Sequence, residues 1–96
     1  MNNNSYLNNN QEYIPNEQSY IENILRINKG KKVSVYQSFQ GKDNVFNGII
    51  ERCGKDHIIL SDPSTGKWYF LLMMYIDYIE FDEEINSVEQ FYSHKY

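Results

Sequence analysis

Val33-Ser-Val-Tyr-Gln-Ser-Phe39, Val45-Phe-Asn-Gly-Ile-Ile-Glu-Arg-Cys53 and His57-Ile-Ile-Leu60 decide the fold. In the first, Val33, Val35, Gln37 and Phe39 alternate with Ser34, Tyr36 and Ser38, the period of a half-buried strand. In the second, Phe46, Gly48 and Ile50 share one face. A glycine in the middle of a strand marks a sharp bend or a close approach of another backbone. Gly41-Lys-Asp-Asn44, Gly54-Lys-Asp56 and Asp62-Pro-Ser-Thr-Gly66 are turn sequences that separate these runs from one another and from a fourth strand, Trp68 to about Met73. Tyr75-Ile-Asp-Tyr-Ile-Glu-Phe81 supplies a fifth, with a mixed face. Five short strands, one of them bent by glycine, predict a mainly β domain: a small five-stranded barrel of the Sm-like or SH3-like kind.

Upstream, Ile21, Ile24, Leu25 and Asn28 recur at helical spacing, and Ser19-Tyr-Ile-Glu22 has the form of a capping box. Gly30 suits a left-handed helix end. One short helix is therefore expected over residues 17–28, ahead of a barrel at 32–81. Residues 1–16 hold seven Asn and read as a disordered tail, because so few aliphatic groups cannot offset the entropy of ordering. Residues 85–96 read as an acidic and aromatic tail, in which Val88, Phe91 and Tyr92 have the spacing of a short helix.

The chain has 96 residues, a formal charge of −4, 16% aromatic residues and a mean hydropathy of −0.68. That length accommodates one small domain. Residues 20–81 carry seven acids against eight bases, so the acidity belongs to the ends. The central module is nearly neutral, so the chain's overall acidity counts little against nucleic acid, and that case rests on Asp77 and a missing basic motif. No stretch has the ~18 apolar residues of a membrane-spanning helix, and the N-terminus lacks the basic and apolar regions of a secretory signal. A protein made inside a cell, with no membrane partner, is expected. The lone Cys53 has no disulfide partner within the chain.

The residues that could carry chemistry are few. Cys53, Asp56 and His57 invite a thiol-hydrolase reading, but they flank one tight turn, whereas a nucleophile and its base must converge in space. His57 and His94 could be set beside Asp56, Asp62 or Asp77, but no pair among them has recognisable metal-ligand spacing, so neither a metal nor another cofactor is expected. Ser64-Thr-Gly-Lys67 lacks the order of a phosphate-cradling loop. Lys29, Lys31 and Lys32, with Arg26, form the one basic cluster, and bases near a helix C-terminus complement its dipole. Nine tyrosines are many for this length, and those in the tails, Tyr6, Tyr13, Tyr92 and Tyr96, suit contacts with partners or oxidative cross-linking.

Gln18-Ser-Tyr-Ile-Glu-Asn-Ile-Leu-Arg-Ile-Asn-Lys-Gly-Lys31, Phe46-Asn-Gly-Ile-Ile-Glu51, Gly54-Lys-Asp-His-Ile-Ile-Leu-Ser-Asp-Pro-Ser-Thr-Gly66 and Tyr75-Ile-Asp-Tyr-Ile-Glu-Phe-Asp-Glu83 together resemble the spore coat protein GerQ family of endospore-forming bacteria. The resemblance covers about residues 17–84, and Asp56-His-Ile-Ile-Leu-Ser-Asp-Pro63 with Gly66 is its most specific part. It implies a non-enzymatic protein, made in the mother-cell cytoplasm and deposited in the spore coat. It also implies a role in germination through retention of a cortex-lytic hydrolase, CwlJ, and cross-linking to other coat proteins by the spore transglutaminase. The family's cross-linking is associated with lysines near the N-terminus, whereas the first lysine here is Lys29. The amine would come from Lys29, Lys31, Lys32 or Lys95, and Gln11 or Gln18 would offer the acyl group. The Asn-rich tail is also shorter than is typical of the family.

Two functional classes follow: a coat scaffold, and an Sm-like RNA-binding module. Against the second, Met74-Tyr-Ile-Asp77 stands where bacterial Sm-like riboregulators carry a Tyr-Lys-His segment, and an aspartate there repels phosphate. The apolar fourth and fifth strands are expected to present a partner surface through Trp68, Tyr69, Tyr75 and Tyr78, and to support self-association edge to edge.

Overall fold

The computed structural model of the chain describes residues 17–87, with side chains from Tyr20 onward. Helix α1 spans Glu17–Ile27 and is followed by strands β1 (Lys32–Phe39), β2 (Lys42–Cys53), β3 (His57–Asp62) and β4 (Lys67–Leu72). A single 3-10 turn, Met73–Tyr75, then leads to β5 (Ile76–Phe81). The expected tail at 1–16 and the expected short helix around Val88–Tyr92 lie outside the described residues.

The strands form one antiparallel sheet in the order β4-β3-β2-β1-β5. The chain meanders from β1 to β4, then β5 returns to the far side of β1. In a flat sheet the two edges would stand about 19 Å apart, four strand spacings of ~4.8 Å. The 3-10 turn that links them is three residues long, and at ~2 Å per residue it spans well under half that distance. The sheet must therefore curl until its edges approach one another. It does not close: no ladder joins β4 to β5, and the expected barrel is realised as a strongly curved, open sheet.

Gly48 is one place where the curl is made. A Cβ there would lie 2.6 Å from the Ser61 carbonyl oxygen and 3.2 Å from the Leu60 Cβ. Only a residue without a side chain lets β2 pass so close to β3. A register shift between Ile50 and Arg52 adds further bend. The β1–β2 turn differs from the expected one. Phe39 pairs with Lys42, leaving Gln40-Gly41 as a two-residue loop with φ of +52° and +77°. Two positive φ values match the twist of a hairpin, so β2 begins three residues before the expected Val45. Downstream, Asp62 caps its own turn through Ser64 and Gly66, as its sequence suggested.

The concave face buries Val33, Val35, Ile50, Ile58, Leu60 and Leu71, with Leu25 of α1 laid over them. Gly30 takes φ +89° after the helix, and its N–H bonds to the Ile50 carbonyl, tying the helix exit to β2. Two helical expectations change. Ser19 lies inside the first turn rather than ahead of it, and Glu22 pairs with Arg26 one turn on. The apolar stripe is also only partly covered: Leu25 and Asn28 are buried, whereas Ile21 is half exposed.

Among the described residues Asn28 is the buried polar exception, at 0% exposure. Its Nδ2 donates to the carbonyls of Ile24 (2.7 Å) and Asn86 (2.9 Å), and its Oδ1 accepts from the Asn86 N–H (3.0 Å). Lys31 Nζ donates to the Glu84 carbonyl at 2.7 Å. These bonds bind the segment after β5 back to the end of the helix.

Candidate functional site

The thiol and the imidazole do not meet. Cys53 pairs across the ladder with Ile58, so Cys53 and Ile58 share a face and His57 points to the other. The Cys53 thiol donates to the Glu22 carbonyl at 3.6 Å, and burial pushes its pKa up, the reverse of an activated nucleophile. His57 instead stacks on Phe70, with ring centroids 4.7 Å apart, and its Nδ1 lies 2.9 Å from Asp56 Oδ1. That hydrogen bond holds the Asp56 carboxyl below its ordinary value. Among the described residues no three His, Cys, Asp or Glu side chains gather as metal ligands.

What the module offers is surface. β4 forms one free edge of the sheet, and its inward side chains are Tyr69, half-buried against Phe46, and the buried Leu71. Its alternate residues Trp68, Phe70 and Leu72 face outward, 64%, 61% and 38% exposed. Met74, at 76%, continues this apolar row into the 3-10 turn. Beside it, an open groove of about 950 Å³ runs between α1 and β5, lined by Tyr20, Ile21, Ile24, Met73, Ile76 and Ile79 among others. A second, polar groove of about 610 Å³ lies over Gly48, between Lys32, Asn47 and the Asp62–Ser64 turn.

Of the aromatic residues expected at a partner surface, Trp68 is exposed on the β4 edge, Tyr69 turns inward, and Tyr75 is half-buried edge-on to Phe39, with centroids 4.6 Å apart. Tyr78 is exposed and stacks on Tyr36 across the β1–β5 ladder. Sequence reading passed over Phe70 and Met74. Strict alternation from the inward Leu71 was the signal that would have found Phe70; Met74 lies in a turn that no periodicity marks.

The candidate cross-linking groups are dispersed. Lys29 and Lys32 are exposed, while the Lys31 amine is engaged with the Glu84 carbonyl. Gln18 lies in the first turn of α1, and Gln11 and Lys95 lie outside the described residues. The β1–β2 hairpin presents a further pair, Gln40 and Lys42, both exposed at its tip. Asp77 is exposed on β5 and accepts a hydrogen bond from Ser38, and Glu80 lies on the same strand, so this edge of the sheet carries negative charge.

The described residues define a small, mainly β class of module: one helix on an open, curved antiparallel sheet with an apolar row along one edge. Residues 16–87 match the family model described as spore coat protein (Spore_GerQ), and the chain belongs to that family. It is 53% identical over 68 residues to spore coat protein GerQ of Bacillus subtilis (strain 168). That alignment covers 67% of this chain and 38% of the relative, so the chain spans well under half of the protein it matches.

Proposed function

We propose that this chain is a non-enzymatic scaffold of the spore coat, which holds a cortex-lytic hydrolase of the CwlJ type in place for germination. The observation that carries this reading is the family match across the whole described module. The geometry supports it: the outward row of Trp68, Phe70, Leu72 and Met74 is apolar enough to hold a protein partner. The module is synthesised in the mother cell and laid down with other coat proteins. Lys29 and Lys32 are the exposed amines nearest the helix for a spore transglutaminase, with Gln11 or Gln18 as acyl donors, and Lys31 and Lys95 as further amines.

The curled sheet is read as an Sm-like barrel left open between β4 and β5. Its two edges, unpaired in ladders among the described residues, favour self-association, β4 of one copy beside β5 of the next, because an edge strand presents a row of backbone groups to a new strand. Lys67 on β4 and Asp77 and Glu80 on β5 give the two edges opposite charge.

The test is a deletion strain scored separately for germination with exogenous calcium–dipicolinate and with nutrients, alongside an immunoblot for the hydrolase in its spores. Loss of the calcium–dipicolinate response together with loss of the hydrolase is expected. Spores that keep normal amounts of the hydrolase would overturn the retention role.

A further inference from the structure

Tyr36 on β1 and Tyr78 on β5 are direct cross-strand partners. Their rings stack with centroids 4.4 Å apart and planes within 15° of parallel. Both side chains leave the same face of the sheet, so their phenol ends lie side by side, with ring carbons at van der Waals contact. The Tyr36 hydroxyl donates to Glu80 Oε1 at 3.1 Å. Tyr78 is 57% exposed. A stacked phenol pair, Tyr78 exposed and Tyr36 half-buried, with a carboxylate on one hydroxyl is more than packing of the strand requires, since the buried face lies on the opposite side.

We propose that Tyr36 and Tyr78 form an oxidative modification site, at which a peroxide-fed one-electron oxidant joins the two rings as an intrachain dityrosine. Each phenol gives up one electron and one proton, leaving two tyrosyl radicals. The Glu80 carboxylate accepts the Tyr36 proton as its electron leaves. The radicals couple carbon to carbon at the positions ortho to oxygen, and the two ring hydrogens displaced there return to the oxygens as the rings regain aromaticity. The two electrons and two protons released reduce one hydrogen peroxide to two waters. Glu80 also holds the Tyr36 hydroxyl above its ordinary pKa, so at neutral pH the ring reacts as the neutral phenol and needs that proton acceptor. The product staples β5, whose only ladder among the described residues is with β1, to the body of the sheet.

The experiment oxidises the purified full chain in dilute solution with a haem peroxidase and hydrogen peroxide, then maps dityrosine peptides by mass spectrometry. A monomer lighter by two hydrogens, with a peptide joining Tyr36 to Tyr78, is expected. Its yield should exceed that from chain oxidised in denaturant by about tenfold or more, as fixed proximity requires. Tyr36→Phe and Tyr78→Phe should each abolish this peptide while keeping the stacked rings. Glu80→Gln should slow its formation severalfold. The proposal is overturned if the native chain links its tyrosines in the same proportions as the denatured chain, or if the Tyr36–Tyr78 peptide forms equally fast without the Glu80 carboxylate.

Discussion

Replacing Asn28 by alanine tests how the segment after β5 is held. The side chain is fully buried and makes three hydrogen bonds, two as donor and one as acceptor. At a net ~1 kcal/mol each, their loss costs about 3 kcal/mol. A domain of this size has about ten kcal/mol or less in total, at ~0.05–0.15 kcal/mol per residue. The expected fall in melting temperature is therefore about 10–25 °C, at ~4–8 °C per kcal/mol. Asn28→Asp sharpens the test. A carboxylate still accepts from the Asn86 N–H but turns an oxygen toward the Ile24 and Asn86 carbonyls. Burial and those carbonyls raise its folded pKa above the unfolded value. Its penalty is then absent below the unfolded pKa and fully felt above the folded one, so this variant should regain stability as the pH falls. Urea denaturation gives the energies, and hydrogen exchange at residues 84–87 locates the effect. An alanine variant that loses under about 1 kcal/mol, or that loses stability with unchanged exchange at the Asn86 amide, would refute the clamp.

Gly48→Ala should cost about 1–3 kcal/mol or more in chemical denaturation, because its Cβ would meet a backbone oxygen that cannot rotate away; a neutral result would show that the β2–β3 approach is looser than described. Asp62→Ala addresses the acid limb: the Ser64 hydrogen bond holds the Asp62 carboxyl below its ordinary value, with Thr65 contributing. Its stabilisation is present above the unfolded pKa near 4 and lost as the pH falls through the folded one, so the gap in melting temperature between parent and variant should narrow in acid. Phe70→Lys puts a charge on the outward row of an edge strand and should abolish any concentration-dependent mass seen by light scattering, while leaving the melting temperature within a few degrees because Phe70 is 61% exposed.

The first two strands were legible because each carries its burial in its own alternation: Val33 and Val35, and Gly48 and Ile50, are buried as the period-two pattern required. Ile58 and Leu60 are buried too, but they lie in an unbroken apolar run whose sequence does not say which side faces the core. Gly48 was readable as a close approach because few other pressures put glycine in mid-strand. The β1–β2 turn was misplaced because Gln40 accepts a left-handed backbone that its identity does not advertise. Asn28 fell on the helix stripe, but its buried role depends on Asn86, 58 residues away, and no local pattern encodes such a pair. The contact surface was half legible for the same reason. Trp68 announced itself by size, whereas the exposure of Phe70 follows from which side of β4 faces the core.

The curl ties these features together. Linking β4 to β5 through three residues demands approaching edges, and that demand falls on Gly48, where side-chain bulk would hold β2 and β3 apart. Once curled, the concave side is filled by six aliphatic residues of the sheet and Leu25. Little apolar surface is needed elsewhere for stability, so the aromatic residues on the convex side and edges are free for contact. Trp68, Phe70 and Met74 leave over half of their surface in water, an arrangement that folding alone does not reward. A module under pressure only to fold would place polar groups there. On the proposed scaffold reading the apolar edge is the contact surface, and the curl of the sheet is the means of presenting it.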